Sequence, residues 1–183
     1  MLQARTQAAA SAVGEFERSV LRHASNLSGY RLFALLDLAP HEGLLPNLTR
    51  IEAGLQWKSL FDGTPEEALL EAAPILVEMP LDFESRPLVR ELVKAERAAP
   101  SVSWLRTGLS FRDLFIHLQP FLDADLPDGR KALFRFYDPR TLFSIRSGLG
   151  ADKFGRSLFE PISAWWLWRT GGYQDLLEGY RYA

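Results

Sequence analysis

The sequence predicts an α/β layered domain, a mixed β-sheet flanked by helices, with an N-terminal helix ahead of it. Three observations carry that prediction. Short runs rich in β-branched and aromatic residues alternate with segments whose apolar residues recur at helical spacing, the pattern of a sheet covered by helices. The 183 residues are 47% hydrophobic and 12% aromatic, enough to fill one core and too apolar for a disordered chain. Capping residues stand directly ahead of the apolar stripes, marking where helices begin.

Residues 3–27 read as an Ala-rich helix without Pro. Ala9, Val13, Phe16, Val20, His23 and Leu27 are spaced alternately four and three apart, a heptad-like seam along one face. Two uses of that seam stay open: a helix laid on its own domain, or a docking helix that meets a partner through Phe16 and Val20. The chain therefore divides into an N-terminal helical extension, 1–29, and an α/β domain, 30–183. Arg31–Asp37 is the first strand, nearly continuous in apolar residues as for a strand covered on both faces. His41–Glu52 is a loop with a short helix, and Trp57–Phe61 a short strand closed by the Asp62-Gly63 turn.

Thr64, Pro65 and Glu67 form a helix start with a capping box, and that helix must end before Pro74. Ile75–Met79 is a strand, Arg86–Ala98 a helix and Val102–Arg106 a short strand. Ser110 and Asp113 make a second capping box ahead of Leu114, Phe115, Leu118 and Leu122, with Pro120 expected to bend or end that helix. Pro127-Asp128-Gly129 turns into Ala132–Tyr137, expected as the central buried strand. Asp138 stops it as an N-cap, Pro139 takes the first helical position, and Gly148 and Gly150 end the helix. A helical segment at Lys153–Phe159 follows, then an expected edge strand at Ile162–Arg169, a break at Gly171-Gly172 and a short amphipathic tail from Tyr173 to Tyr182.

Composition excludes several functions. Lys and Arg number 21 against 23 Asp and Glu, the net charge is −2, and no dense basic run exists, so no nucleic-acid partner is expected. No stretch is long and apolar enough for a membrane span, so no membrane insertion is expected. The absence of Cys removes disulfides and thiolate chemistry and fits a cytoplasmic location.

No catalytic, metal or cofactor set emerges. His23, His41 and His117 have no partner at ligand spacing. Nucleophile-elbow, P-loop and dinucleotide-binding patterns are missing. Asp37 and Asp138 are the best acid pair, each ending an expected strand, with Arg135 and Arg140 beside the second. An acid–base pair with a cationic clamp can be drawn from them. Capping accounts for Asp138, and an ion pair or hydrogen bonds to loop carbonyls for Arg135, more simply. Trp165, Trp166 and Trp168 pose a separate question. Alternation puts Trp166 and Trp168 on one face and Trp165 on the other. Burial on both faces is one outcome; the other exposes a face that, with Arg169, has the composition of a protein-binding hot spot.

Three stretches carry a resemblance: ALLDLAP (34–40), SLFDGTPEEALLEAAPILVEM (59–79) and FRFYDPR (134–140). In order along the chain, from about Tyr30 to about Trp166, it resembles the domain-of-unknown-function family numbered 4123. That resemblance implies an adaptor, or chaperone, for a bacterial type VI secretion effector. Such a protein holds the effector near its N-terminal region and helps load it onto a VgrG-type spike protein, working in the cytoplasm by protein–protein binding. Asp37, Arg135, Tyr137, Asp138, Pro139 and Arg140 would then be structural motif residues. Family members often carry a further C-terminal helical lobe, which here would be short or missing after Arg169. The alternatives are a hydrolase-like enzyme using Asp37 and Asp138, or a structural subunit of a larger assembly.

Overall fold

A computed structural model describes residues 11–21, 29–80, 87–126, 128–149 and 153–178. Its strands are β1 (Arg31–Asp37), β2 (Trp57–Ser59), β3 (Pro74–Glu78), β4 (Val102–Thr107), β5 (Asp123–Asp125), β6 (Lys131–Leu133), β7 (Ile162–Arg169) and β8 (Gly172–Asp175). Its helices are α1 (residues 11–16, continuing as a π-helix over Glu17–Leu21), α2 (Leu44–Ile51), α3 (Pro87–Ala98), α4 (Phe111–Leu118), α5 (Pro139–Leu149) and α6 (Lys153–Phe159). Six strands form one sheet in the order β2-β3-β1-β4-β7-β8. The layered α/β class holds, and each pairing in that sheet is antiparallel.

Register assigns the faces. Ala34 lies opposite Val77 and Trp104, Trp104 opposite Trp166, and Trp168 opposite Tyr173. These side chains share one face, and Phe33, Leu35, Leu105, Trp165 and Leu167 the other. The first face carries α1, whose Phe16 ring sits 4.2 Å from that of Trp104, and α3, whose Glu96 accepts from Trp104 Nε1 at 3.1 Å. The second carries α4 through Phe111 on Phe33, and α6 through Phe159 on Trp165. Burial on both faces explains why β1 reads as an unbroken apolar run.

Local signals hold where the cap is the whole story. Ser110 accepts from the Asp113 backbone N–H at 3.2 Å and starts α4, which ends at Leu118 before Pro120; a 3₁₀ turn, Gln119–Leu122, follows. The start at Thr64 is different. Thr64 Oγ1 accepts from Glu66 N–H and Glu67 Oε2 from Gly63 N–H, yet the result is a 3₁₀ segment, Glu67–Ala72, that buries none of its side chains. A helix that buries none of its apolar side chains has little to sustain it beyond its cap.

Three expectations are corrected. Ala132–Tyr137 is not a central strand. β6 pairs with β5 in a separate two-stranded ribbon, and the chain then turns, with Phe136 N–H donating to Phe134 O and Asp138 N–H to Arg135 O. Phe136 is buried and Phe134 partly so. The alternation of Phe134, Arg135 and Phe136 comes from a turn that sends Arg135 toward β1, not from a pleat. Second, β7 is not an edge: it lies between β4 and β8. Gly171 and Gly172, at φ 98° and 145°, adopt backbone that favours glycine and close a hairpin instead of ending the sheet. Third, Phe16 and Val20 are fully buried in the core, so they are not a docking surface; the seam packs on its own sheet. Ala9, His23 and Leu27, at the seam's two ends, lie outside the described residues.

Candidate functional site

One end of the sheet gathers the three motif stretches. β1 ends at Asp37, in register with Pro74 at the start of β3. Leu38 N–H donates to Ala73 O at 3.2 Å, and Leu60 N–H to Pro74 O at 2.8 Å. Phe61 meets Tyr137 edge-on, with ring centroids 6.3 Å apart. Arg135 Nη2 donates to Asp37 Oδ2 at 2.7 Å and so ties the turn after β6 to β1.

Burial decides what these charges can do. Asp37 is buried, and a buried carboxylate must be matched by donors. Oδ2 takes Arg135; Oδ1 takes the Ala39 backbone N–H at 3.1 Å. The Arg135 side chain is 44% exposed, so the pair is wet on one side and dry on the other. Burial pushes the Tyr137 phenol above its ordinary value against the opposing pull of Arg135, which keeps it a neutral O–H at pH 7.

Asp138 is the N-cap of α5. Its Oδ1 accepts from Arg140 N–H at 2.9 Å, its carbonyl from Leu142 N–H at 3.0 Å, and Pro139 occupies the first helical position. The Arg140 guanidinium grips both carboxylate oxygens, Nε to Oδ1 at 3.0 Å and Nη2 to Oδ2 at 2.8 Å. Burial acts to raise the Asp138 pKa, but the hydrogen bonds from Arg140 outweigh it and hold the carboxyl below its usual value.

Two further polar pairings were not assembled by sequence reasoning. His41 Nε2 lies 2.6 Å from Ser101 Oγ at the same sheet end. The Ser101 hydroxyl donates to Ala99 O at 2.9 Å, so it offers His41 a lone pair and the ring donates. A nucleophile–base pair needs the opposite polarity, and Ser101 is fully buried. Burial lowers the His41 pKa against the pull of Asp37, leaving a neutral ring. His117 Nε2 lies 3.0 Å from Leu158 O and its ring packs on Phe121. Among the described residues, no group of three or more His, Cys, Asp or Glu side chains is placed to hold a metal ion.

The second pairing lies on the first face of the sheet. Glu96 is 2% exposed and is met by Trp104 Nε1 and the Tyr173 hydroxyl. Burial, partly opposed by those two hydrogen bonds, pushes its pKa up to about 7. Arg97 pairs with Glu15 at 3.3 Å and lies over the Trp168 ring, 2.9 Å from its centroid. Glu96 falls on the apolar stripe of α3 with Leu88, Leu92 and Val93; a charged residue at that spacing was the available signal.

The tryptophans are accounted for by the same packing. Trp165 and Trp166 are buried, one on each face, and Trp168 is half-buried beneath Arg97. Arg169 stacks on Phe143 of α5 at 3.8 Å. Of the two outcomes left open for β7, burial on both faces holds for Trp165 and Trp166, while Trp168 and Arg169 are half-buried under Arg97 and against Phe143. Asp37, Arg135, Tyr137, Asp138, Pro139 and Arg140, in contrast, are brought together.

The sequence profile of the family described as "Domain of unknown function (DUF4123)" matches residues 32–155, more than half of the chain. The match runs from β1 into α6 and leaves α1, β7 and β8 outside. No curated protein and no solved structure matches.

Proposed function

Because the chain belongs to the DUF4123 family, we propose that it is a non-catalytic adaptor, or chaperone, which binds a type VI secretion effector in the cytoplasm and helps load it onto a VgrG-type spike protein. The observation that carries this reading is the pairing at the sheet end. Asp37 and Asp138, the residues a hydrolase would use, are each engaged by an arginine and by a backbone N–H. Asp37 is spent on tying the turn after β6 to β1, and Asp138 on capping α5 with its own Arg140; both serve to hold the scaffold that a binding surface needs. A general acid or base needs a carboxylate directed at substrate; here each is directed at its own chain.

The test is direct. The purified chain is mixed with the effector and the spike protein encoded beside its gene, and the mixture is run on a sizing column. Co-elution with the effector is the expected outcome. If the folded chain retains neither protein, the adaptor reading fails.

A further inference from the structure

Beside that corner, the 3₁₀ segment Glu67–Ala72 turns apolar side chains outward. Leu69 is 58% exposed and Leu70 42% exposed, and Pro65, Ala68 and Ala72 around them are exposed as well. An isolated exposed leucine needs no explanation, but a contiguous run on one short element does. The segment is not loose at its ends. Thr64 N–H and Oγ1 both donate to Phe61 O, Ala73 N–H donates to Leu70 O, and Ala73 O accepts from Leu38 N–H. β3 follows at once, so the two leucines stand on an anchored support, and a partner meeting them loses little entropy in ordering it.

The charged residues of the segment itself are all acidic. Glu66, Glu67 and Glu71 belong to or flank the segment. Glu67 accepts the Gly63 N–H, and Asp62 just upstream is paired with Lys58. Among the described residues neither Glu66 nor Glu71 has a cationic partner, while the exposed Arg135 and Arg140 nearby are already held by Asp37 and Asp138. Carboxylates around an apolar centre repel anionic lipid and nucleic-acid phosphates alike. They complement a segment that carries Lys or Arg around its own apolar side chains.

We propose that residues 64–72 are a docking surface on which the effector lays a basic, amphipathic segment, its apolar side chains on Leu69 and Leu70 and its cations toward Glu66 and Glu71. This rests on the adaptor reading and adds to it the site and the chemistry of the partner.

The experiment compares the wild-type chain with Leu69→Ser/Leu70→Ser and with Glu66→Gln/Glu71→Gln. None of the four side chains is buried, and circular dichroism first establishes that both variants are folded. Binding of the effector encoded beside the gene is measured across ionic strength, with a synthetic Lys/Leu amphipathic peptide and a Glu/Leu counterpart as defined probes. The serine variant should lose about tenfold or more in affinity for effector and Lys/Leu peptide. The glutamine variant should lose several-fold, with a flatter salt dependence, and the Glu/Leu peptide should not bind. If wild type binds the effector and both variants bind it equally well, the docking surface is refuted while the adaptor reading stands. If the wild type forms a dimer that the serine variant disperses, the occupant is a second copy and the proposal is overturned. If the wild type binds neither effector nor spike, the proposal and the reading beneath it fall together.

Discussion

Replacing Glu96 by Gln should remove a large part of the pH dependence of stability near neutrality. The carboxyl is buried among α1, α3, β4 and β8, facing Trp104, Tyr173, Arg97 and Glu15. Its pKa rises from an ordinary 4.5 to about 7 on folding. Folding therefore favours the protonated form. The stability this group contributes is fully present below the unfolded value and is lost as pH rises through the folded one. A shift of that size corresponds to about 3 kcal/mol lost between roughly pH 4.5 and pH 7, since one pKa unit is ~1.4 kcal/mol. Gln keeps the geometry: its carbonyl still accepts from Trp104 Nε1, and its amide can donate to the Tyr173 oxygen. Urea unfolding of both proteins at a series of pH values from 5 to 8 isolates the contribution, because every other titrating group is common to the pair. The two should differ by no more than about 1 kcal/mol near pH 5, with the Gln variant gaining to about 3 kcal/mol above the wild type by pH 7 and levelling off beyond it. Parallel curves across the whole range would show that Glu96 does not titrate there and would refute the argument from burial.

Asp138→Ala should destabilise by about 0.5–2 kcal/mol through loss of the α5 cap, and Asp138→Asn should recover most of it, since Asn caps well; thermal melts of the two variants decide this, and equal losses would contradict the capping account. Phe136→Ala should cost about 3–5 kcal/mol and Phe134→Ala distinctly less, because only Phe136 is fully enclosed; the reverse order in denaturant midpoints would restore a buried strand at 132–137.

Elements whose cause is local were legible in the sequence. β1 was legible to the residue because a strand covered on both faces has no polar alternation to confuse it. The start of α4 followed from Ser110 and Asp113, which bond to each other. The corner residues could be named but not assembled. Arg135 and Asp37 lie far apart in the chain, and the alternation of Phe134, Arg135 and Phe136 imitates a pleat. The position of β7 inside the sheet depended on β8, and the Gly171-Gly172 pair signals a hairpin as readily as an ending. The seam of α1 was visible in Phe16 and Val20, whereas its partner, the Trp104 face, is set by strand order alone. Glu96 stood on an apolar stripe in plain view, but only packing shows that Tyr173 and Trp104 enclose it.

The strand order also bears on how the chain is made. β1 to β4 occupy four adjacent places in the sheet, so a growing chain can close that half on its own while β7 and β8 are still to be synthesised. Until they arrive, β4 is an open edge and the ring that will cover Phe16 from β8, Tyr173, does not yet exist. α1, which is made before every strand described, cannot complete its seat until β8 is in place. Translation that stalls between β4 and β7 therefore leaves an unpaired strand edge beside a Phe16 ring that lacks its Tyr173 cover, the kind of surface on which nascent chains associate wrongly.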